Sequence, residues 1–325
     1  MKKTFILTAI AVLLAVASAT AQQIAVVSEN GETSLYQTLP EAIQGASAGS
    51  VVYLPGGGFT ISDDVKITKK LTIIGIGHKS TNDNVDGTTI ISGNLFFNGG
   101  SEGSAIMGCY ITGKVCIGHD DAAVNNILVK CCNVNAIDSH ANSLNIVVVQ
   151  NYMRSISAIR GVNSIINNNI MHSLREVYSS SICNNIVTSY DLTDYYCAFS
   201  KIYDSNIFNN IFLDPFNVPA GTNCQINNNM FGVWSSINYG DNCIHAPVVW
   251  NELFVNYNGG SVSPMSNFHF TEAYQQYESQ VGVYAGGVDF DKQIAPVPYI
   301  VAKRIAEETD ATGQLKIQVR VKAGD

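Results

Sequence analysis

Arg154, His172, Arg175, Glu176 and Asp191 are the residues of this chain whose types and spacing could do chemistry. A guanidinium forks a carboxylate, and an imidazole carries a proton near neutral pH. Such a set suits recognition of an acidic sugar. A lyase would need the same two parts, a cation to neutralise a uronate and a base to take the adjacent proton. Arg154 or His172 would hold those roles. Glycoside hydrolysis needs two carboxylates, about 5–5.5 Å apart for retention or about 6.5–9.5 Å for inversion. Glu176 with Asp191 is the feasible pair. Tyr195 and Tyr196 could stack on sugar rings or pack at a corner. The plain competing reading is a solvated surface, with Arg175 bonded to Glu176 or Asp191. His119-Asp120-Asp121 could bind a cation together with a neighbouring coil, or form an exposed turn.

These residues meet only if the chain brings distant positions side by side, and an imperfect repeat says that it does. Asn151, Asn169, Asn185, Asn210, Asn229 and Asn251 each sit in a short β-branched or aromatic run, at steps of 18, 16, 25, 19 and 22 residues. Cys132 precedes Asn151 by 19. A period near 20 with variable length is the mark of a solenoid, in which strands too short to stand alone stack at about 4.8 Å. Asn recurs because it tolerates the left-handed conformation at a corner and bonds to the Asn above and below. A leucine-rich repeat has a similar period, but its regular Leu frame is missing. Three residues beyond the anchors lie Asn135, Arg154, His172 and Thr188, which predicts Arg154 and His172 on adjacent coils. Six beyond lie Asp138, Ser157, Arg175 and Asp191. Asp138 and Asp191 would then be roughly 14 Å apart, too far for hydrolysis.

Around this middle, Thr38-Leu39-Pro40-Glu41 predicts a capped helix with a capping box, followed by short strands around Val51–Leu54, Val65–Ile67 and Leu71–Gly75. Residues 1–21 read as a secretory signal peptide: Lys2 and Lys3, an apolar run, then Ala19-Thr20-Ala21. That predicts an exported protein, in the periplasm, on the envelope surface or secreted. No later segment reads as membrane-spanning. Residues 22–258 are assigned to the capped solenoid. Residues 259–325 are assigned to a loop and a β-hairpin, Tyr299–Ile305 with Leu315–Lys322, covering the side or the C-terminal end of the solenoid. Only 14% of residues are charged and the net charge is −8, which argues against nucleic acid as a partner. The even count of eight cysteines permits disulfides; mostly buried free thiols are expected, with room for one bridge. No C-x-x-C pair supports zinc, no Gly-x-Ser-x-Gly elbow appears, and Gly56-Gly57-Gly58 reads as a turn.

The stretch Thr38–Gly77 and the anchors from Asn151 to Asn251 resemble the pectin-lyase-like superfamily of right-handed parallel β-helices. The tail Gln280–Val321 looks like that of secreted β-helix proteins of gut-associated Gram-negative bacteria. The resemblance implies an all-β, right-handed parallel β-helix with an N-terminal capping helix and a C-terminal hairpin extension. It also brings pectate lyases, polygalacturonases and proteins without catalysis into view. The Asp-rich calcium site of the first and the clustered Asp and His of the second are not found here. The expectation is therefore an exported non-catalytic solenoid that binds polysaccharide or cell-envelope glycan, or serves as an envelope scaffold. The alternative is a polysaccharide lyase or glycoside hydrolase acting on an acidic polysaccharide. Arg154, His172, Arg175, Tyr195 and Tyr196 are the candidate ligand contacts. No cofactor is expected, with calcium left open.

Overall fold

The computed structural model describes residues 23–63, 65–79, 87–119, 122–140, 142–188, 199–213, 223–232, 242–245, 250–257, 263, 265–287, 290, 299–305 and 317–322. The signal-peptide reading of residues 1–21 lies outside them.

The fold is a parallel β-solenoid. Each coil places one short strand in a narrow sheet and a second strand, longer in the middle coils, in a wide sheet. Among the described residues the narrow sheet has 11 strands and the wide one 13. In the narrow sheet the middle residue of each strand points inward. Val52, Ile73, Ile106, Val129, Val148, Ile166, Ile182 and Ile207 thus form one column, each at 0% exposure. In the wide sheet, Ile111, Val134, Met153, Met171, Val187, Phe212 and Phe231 form the facing column. The two columns meet in a single apolar core. Burying each such side chain contributes about 1.5–3 kcal/mol.

The corner between the sheets is built from two adjacent residues with separate tasks. The first adopts a left-handed backbone: Gln150, Asn168, Asn184, Asn209 and Asn228 have φ between 50° and 57°. The second turns inward: Asn151, Asn169, Asn185, Asn210 and Asn229 are each 0% exposed. Each buried Oδ1 accepts from the backbone N–H of the preceding coil, at 2.9–3.0 Å. The buried amides also donate to main-chain carbonyls. The stacked-Asn expectation therefore holds, but the left-handed residue is the one before the anchor. Cys132 continues the column, as expected, and so does Cys109: their thiols donate to the carbonyls of Lys130 and Met107, as the Asn amides do at the same offset. Asn251 does not belong. Ile244 N–H bonds Asn229 O, which hands the position to Cys243, and Trp250–Leu253 is a short helix.

At the N-terminal end the capping box forms: Thr38 Oγ1 accepts from Glu41 N–H, and Glu41 Oε2 accepts from Thr38 N–H. Helix Leu39–Gly45 buries Leu39, Ala42 and Ile43. Strands Ile24–Val27 and Thr33–Tyr36, not foreseen, pair antiparallel and finish the narrow sheet.

Described residues between Leu253 and Phe290 form a strap over the side of the wide sheet. This strap contains an antiparallel pair, Phe254–Asn256 with Asn267–Phe270. Its Phe254, Phe268, Phe270, Val281, Val283 and Phe290 pack on the outward column Tyr152, Ile170, Ile186, Ile211 and Met230. Two hydrogen bonds pin it to the corner: Gly282 N–H to Asn209 O and Asn168 Nδ2 to Val283 O, both 2.8 Å. The expected hairpin exists, Tyr299–Ile305 with Ile317–Lys322. Cys109, Cys116, Cys131, Cys132 and Cys183 are buried free thiols. No helix among the described residues is long and apolar enough to cross a membrane.

Candidate functional site

The wide sheet carries the polar side chains on its outer surface because its strands are long. Asn133–Ser139, Tyr152–Ala158 and Ile170–Tyr178 run seven to nine residues, so each coil presents several outward positions beyond the strap.

Arg154 and His172 are neighbours across coils, between the register pairs Met153 with Met171 and Ser155 with Ser173. This matches the sequence expectation. Thr188 completes the row: its Oγ1 lies 3.2 Å from His172 Nδ1 and 3.4 Å from Met171 O. With the hydroxyl proton on that carbonyl, Nδ1 carries the ring proton and Nε2 keeps the lone pair. Burial, and secondly the nearby Arg154 charge, hold the His172 pKa below that of a free histidine. His172 is therefore a neutral imidazole at neutral pH beside an exposed guanidinium.

The second predicted row is displaced. A bulge at Ser157 sets Asp138 opposite Ala158, in line with Glu176 and not with Arg175. Arg175 faces Ser200. Asp191, Tyr195 and Tyr196 lie outside the described residues. Glu176 and Lys201 are left-handed, at φ 51° and 56°, and a bulged residue is re-aimed off the ladder. Glu176 Oε2 accepts from Arg160 Nη2 at 2.9 Å, and Oε1 accepts from Lys201 Nζ at 2.9 Å. Lys201 first and Arg160 second pull the Glu176 carboxyl below its usual range. Tyr178 and Tyr203, next along the same strands, stack with centroids 5.0 Å apart and planes 15° from parallel.

The sequence expectation missed Arg160, Lys201, Tyr178 and Tyr203. A signal existed: Tyr178 and Tyr203 each lie seven residues before an anchor, Asn185 and Asn210, and Glu176 and Lys201 nine before. Alignment forward from the anchors does not reach them.

Asp138 and Glu176 stand two coils apart, roughly 10 Å, and Glu176 is committed to its two cations. That arrangement does not fit a hydrolytic pair. A calcium cage needs six to eight oxygens. Among the described residues no group of three His, Cys, Asp or Glu side chains is placed to hold a metal ion. Further along the face, His119 packs edge-on against His140, centroids 5.3 Å apart, and His140 Nε2 lies 3.6 Å from Asp138 Oδ2.

No family model matches the chain, and neither a curated protein nor a solved structure gives a significant match.

Proposed function

We propose that this chain is an exported, non-catalytic β-helix of the pectin-lyase-like kind that binds an acidic polysaccharide or cell-envelope glycan on the outer face of its wide sheet. The observation that carries the reading is the pairing of cations with stacked rings on adjacent coils. Arg154 stands exposed beside His172, and Arg160 and Lys201 flank Glu176 next to the Tyr178–Tyr203 stack. Guanidinium and ammonium groups take sugar carboxylates, and tyrosine rings take the apolar faces of sugars. Coil spacing of about 4.8 Å repeats these contacts along an extended polymer. The signal-like residues 1–21 support export to the envelope or beyond.

A lyase is the second reading, and one observation favours it. His172 is held unprotonated and so can accept a proton, with Arg154 one coil away to neutralise a uronate.

Affinity electrophoresis through gels containing uronic-acid or neutral polysaccharide tests the proposal. Retardation in the acidic gel, weakened in Arg154→Ala and in Arg160→Ala, is the expected result. Mobility unchanged in every gel would sink it. Unsaturated-product absorbance that vanishes in His172→Ala would move the assignment to the lyase.

A further inference from the structure

We propose that the outer face of the narrow sheet docks a second copy of this chain, packed face to face and antiparallel. Each narrow strand turns an inward residue, such as Val52 or Ile166, into the core and leaves its two neighbours facing out. Ladder register stacks these outward residues into two rows across eight neighbouring strands, from Thr33–Tyr36 to Ile165–Asn167. One row carries Val51, Leu128, Val147 and Ile165, and the other Tyr53, Ile74, Met107 and Val149. Lys130 is the one charged residue among the described outward positions of these strands. Large apolar side chains of the face meet water: Leu35 is 58% exposed, Ile165 42% and Tyr53 37%. Among the described residues Ile74 clusters only with Val51 and Met107, its neighbours in the face.

Parallel sheets are normally covered on both faces. The wide sheet obeys this through the strap, which packs on its outward column. Neither large apolar cluster of the described residues includes the outward rows of the narrow sheet. A second copy fits that face better than another partner for two reasons. It carries the same rung spacing of about 4.8 Å, so the side chains of one face settle between the rungs of the other along the whole length. It also answers the one charge. A two-fold axis between Ile74 and Met107 has four strands on either side. It sets Ile74 against Met107, Val51 against Leu128, and Lys130 against Tyr53 of the second copy. The ammonium thus lands on a tyrosine ring, a cation–π pair made twice. Eight strands at about 4.8 Å, each presenting three residues at about 3.3 Å, give roughly 380 Å² of flat area per copy. Two such faces fall at the small end for a specific interface, which makes the dimer reversible rather than obligate. The contact leaves the outer face of the wide sheet free and does not rest on the glycan reading.

Sedimentation velocity of the full chain, from about 1 µM to about 500 µM, tests the interface. The expected result is a shift from monomer to dimer within that range and no larger species. Ile165→Glu should weaken the dimer at least about tenfold, while Val255→Glu, on the exposed strap, should leave it unchanged. Tyr53→Glu should dimerise better than Tyr53→Lys, because only the carboxylate meets Lys130 of the second copy favourably. Thermal melts establish that each variant is folded, and Ile165→Thr, which keeps the branched shape, should weaken the dimer by less than Ile165→Glu. A monomer at every concentration, a dimer undiminished in Ile165→Glu, equal loss in Val255→Glu, or Tyr53→Glu and Tyr53→Lys weakened alike would each overturn the proposal. So would cosedimentation of a monomeric chain with phosphatidylcholine vesicles that is lost in Ile165→Glu, which would give the face to lipid.

Discussion

Asn169 Oδ1 accepts two hydrogen bonds from Asn151, one from its backbone N–H and one from its side-chain amide, both at 3.0 Å. A single oxygen thus ties the corner of one coil to the next. Asn169 itself donates to Val148 O and Asn167 O, so its amide spends its donors as well as its acceptor in a dry corner. Replacement by alanine leaves a buried N–H and carbonyls without partners, at about 1–3 kcal/mol for each group. We expect Asn169→Ala to lower stability by about 2–4 kcal/mol, read as a shift in urea midpoint at constant slope. A loss under about 1 kcal/mol would mean that the ladder is not a main support of the stack.

The strap offers a second measurement. Gly282 has φ 79°, and a Cβ there would lie 2.6 Å from Ile211 Cδ1. Gly282→Ala therefore meets both a backbone and a packing penalty, about 2 kcal/mol together. Faster hydrogen exchange in the strap, with ladder amides in the middle coils unchanged, is the expected pattern. Uniform acceleration throughout the chain would contradict a strap that opens by itself.

His172 titration by NMR should fall below the ordinary histidine range. Burial is the larger cause and Arg154 the smaller, so Arg154→Ala should raise the value only part of the way. The linkage has a definite sign. The folded pKa lies below the unfolded one, so this contribution to stability is complete above the unfolded value and is lost as pH falls through and below it. His172→Gln should flatten that part of the pH–stability curve. A His172 value at or above that of a free histidine would refute the electrostatic description.

Glu176 titrates with the same sign in a more acidic window. Its carboxyl is depressed, so the stabilisation is present above the unfolded carboxylate pKa and disappears as pH falls through the folded one. Glu176→Gln should cost a few tenths of a kcal/mol to about 1 kcal/mol at neutral pH, because the pair is solvent-screened. The two proteins should become equally stable in acid. A difference that survives below the carboxylate range would belong to packing or the left-handed backbone rather than to charge.

The repeat made the solenoid legible because each coil places the same residue types in the same corner, and burial enforces that rule. Asn151 to Asn229 were therefore readable, and Arg154 beside His172 followed from counting three residues on. Counting failed where the backbone added a residue. The bulge at Ser157 moved Asp138 out of the Arg175 row, and the left-handed Glu176 and Lys201 turned side chains that simple alternation does not aim. Asn251 misled for a related reason: an isolated Asn among apolar residues also fits a short helix, whereas Asn242-Cys243-Ile244 carried the last corner with a thiol in place of an amide. The strap was unreadable because its contacts join residues over a hundred positions apart, such as Asn168 and Val283, with no periodicity to announce them.

The sulfur atoms within the amide column have a chemical consequence. Cys109 and Cys132 occupy adjacent rungs, and about 4.8 Å between such rungs is a separation that a disulfide can span. Yet burial pushes Cys132 up to about 12 and Cys109 well above an ordinary thiol. At neutral pH the thiolate, the nucleophilic form, is therefore strongly disfavoured at Cys132. Desolvation thus disfavours the thiolate that oxidation and exchange require, although the pair is close enough to crosslink.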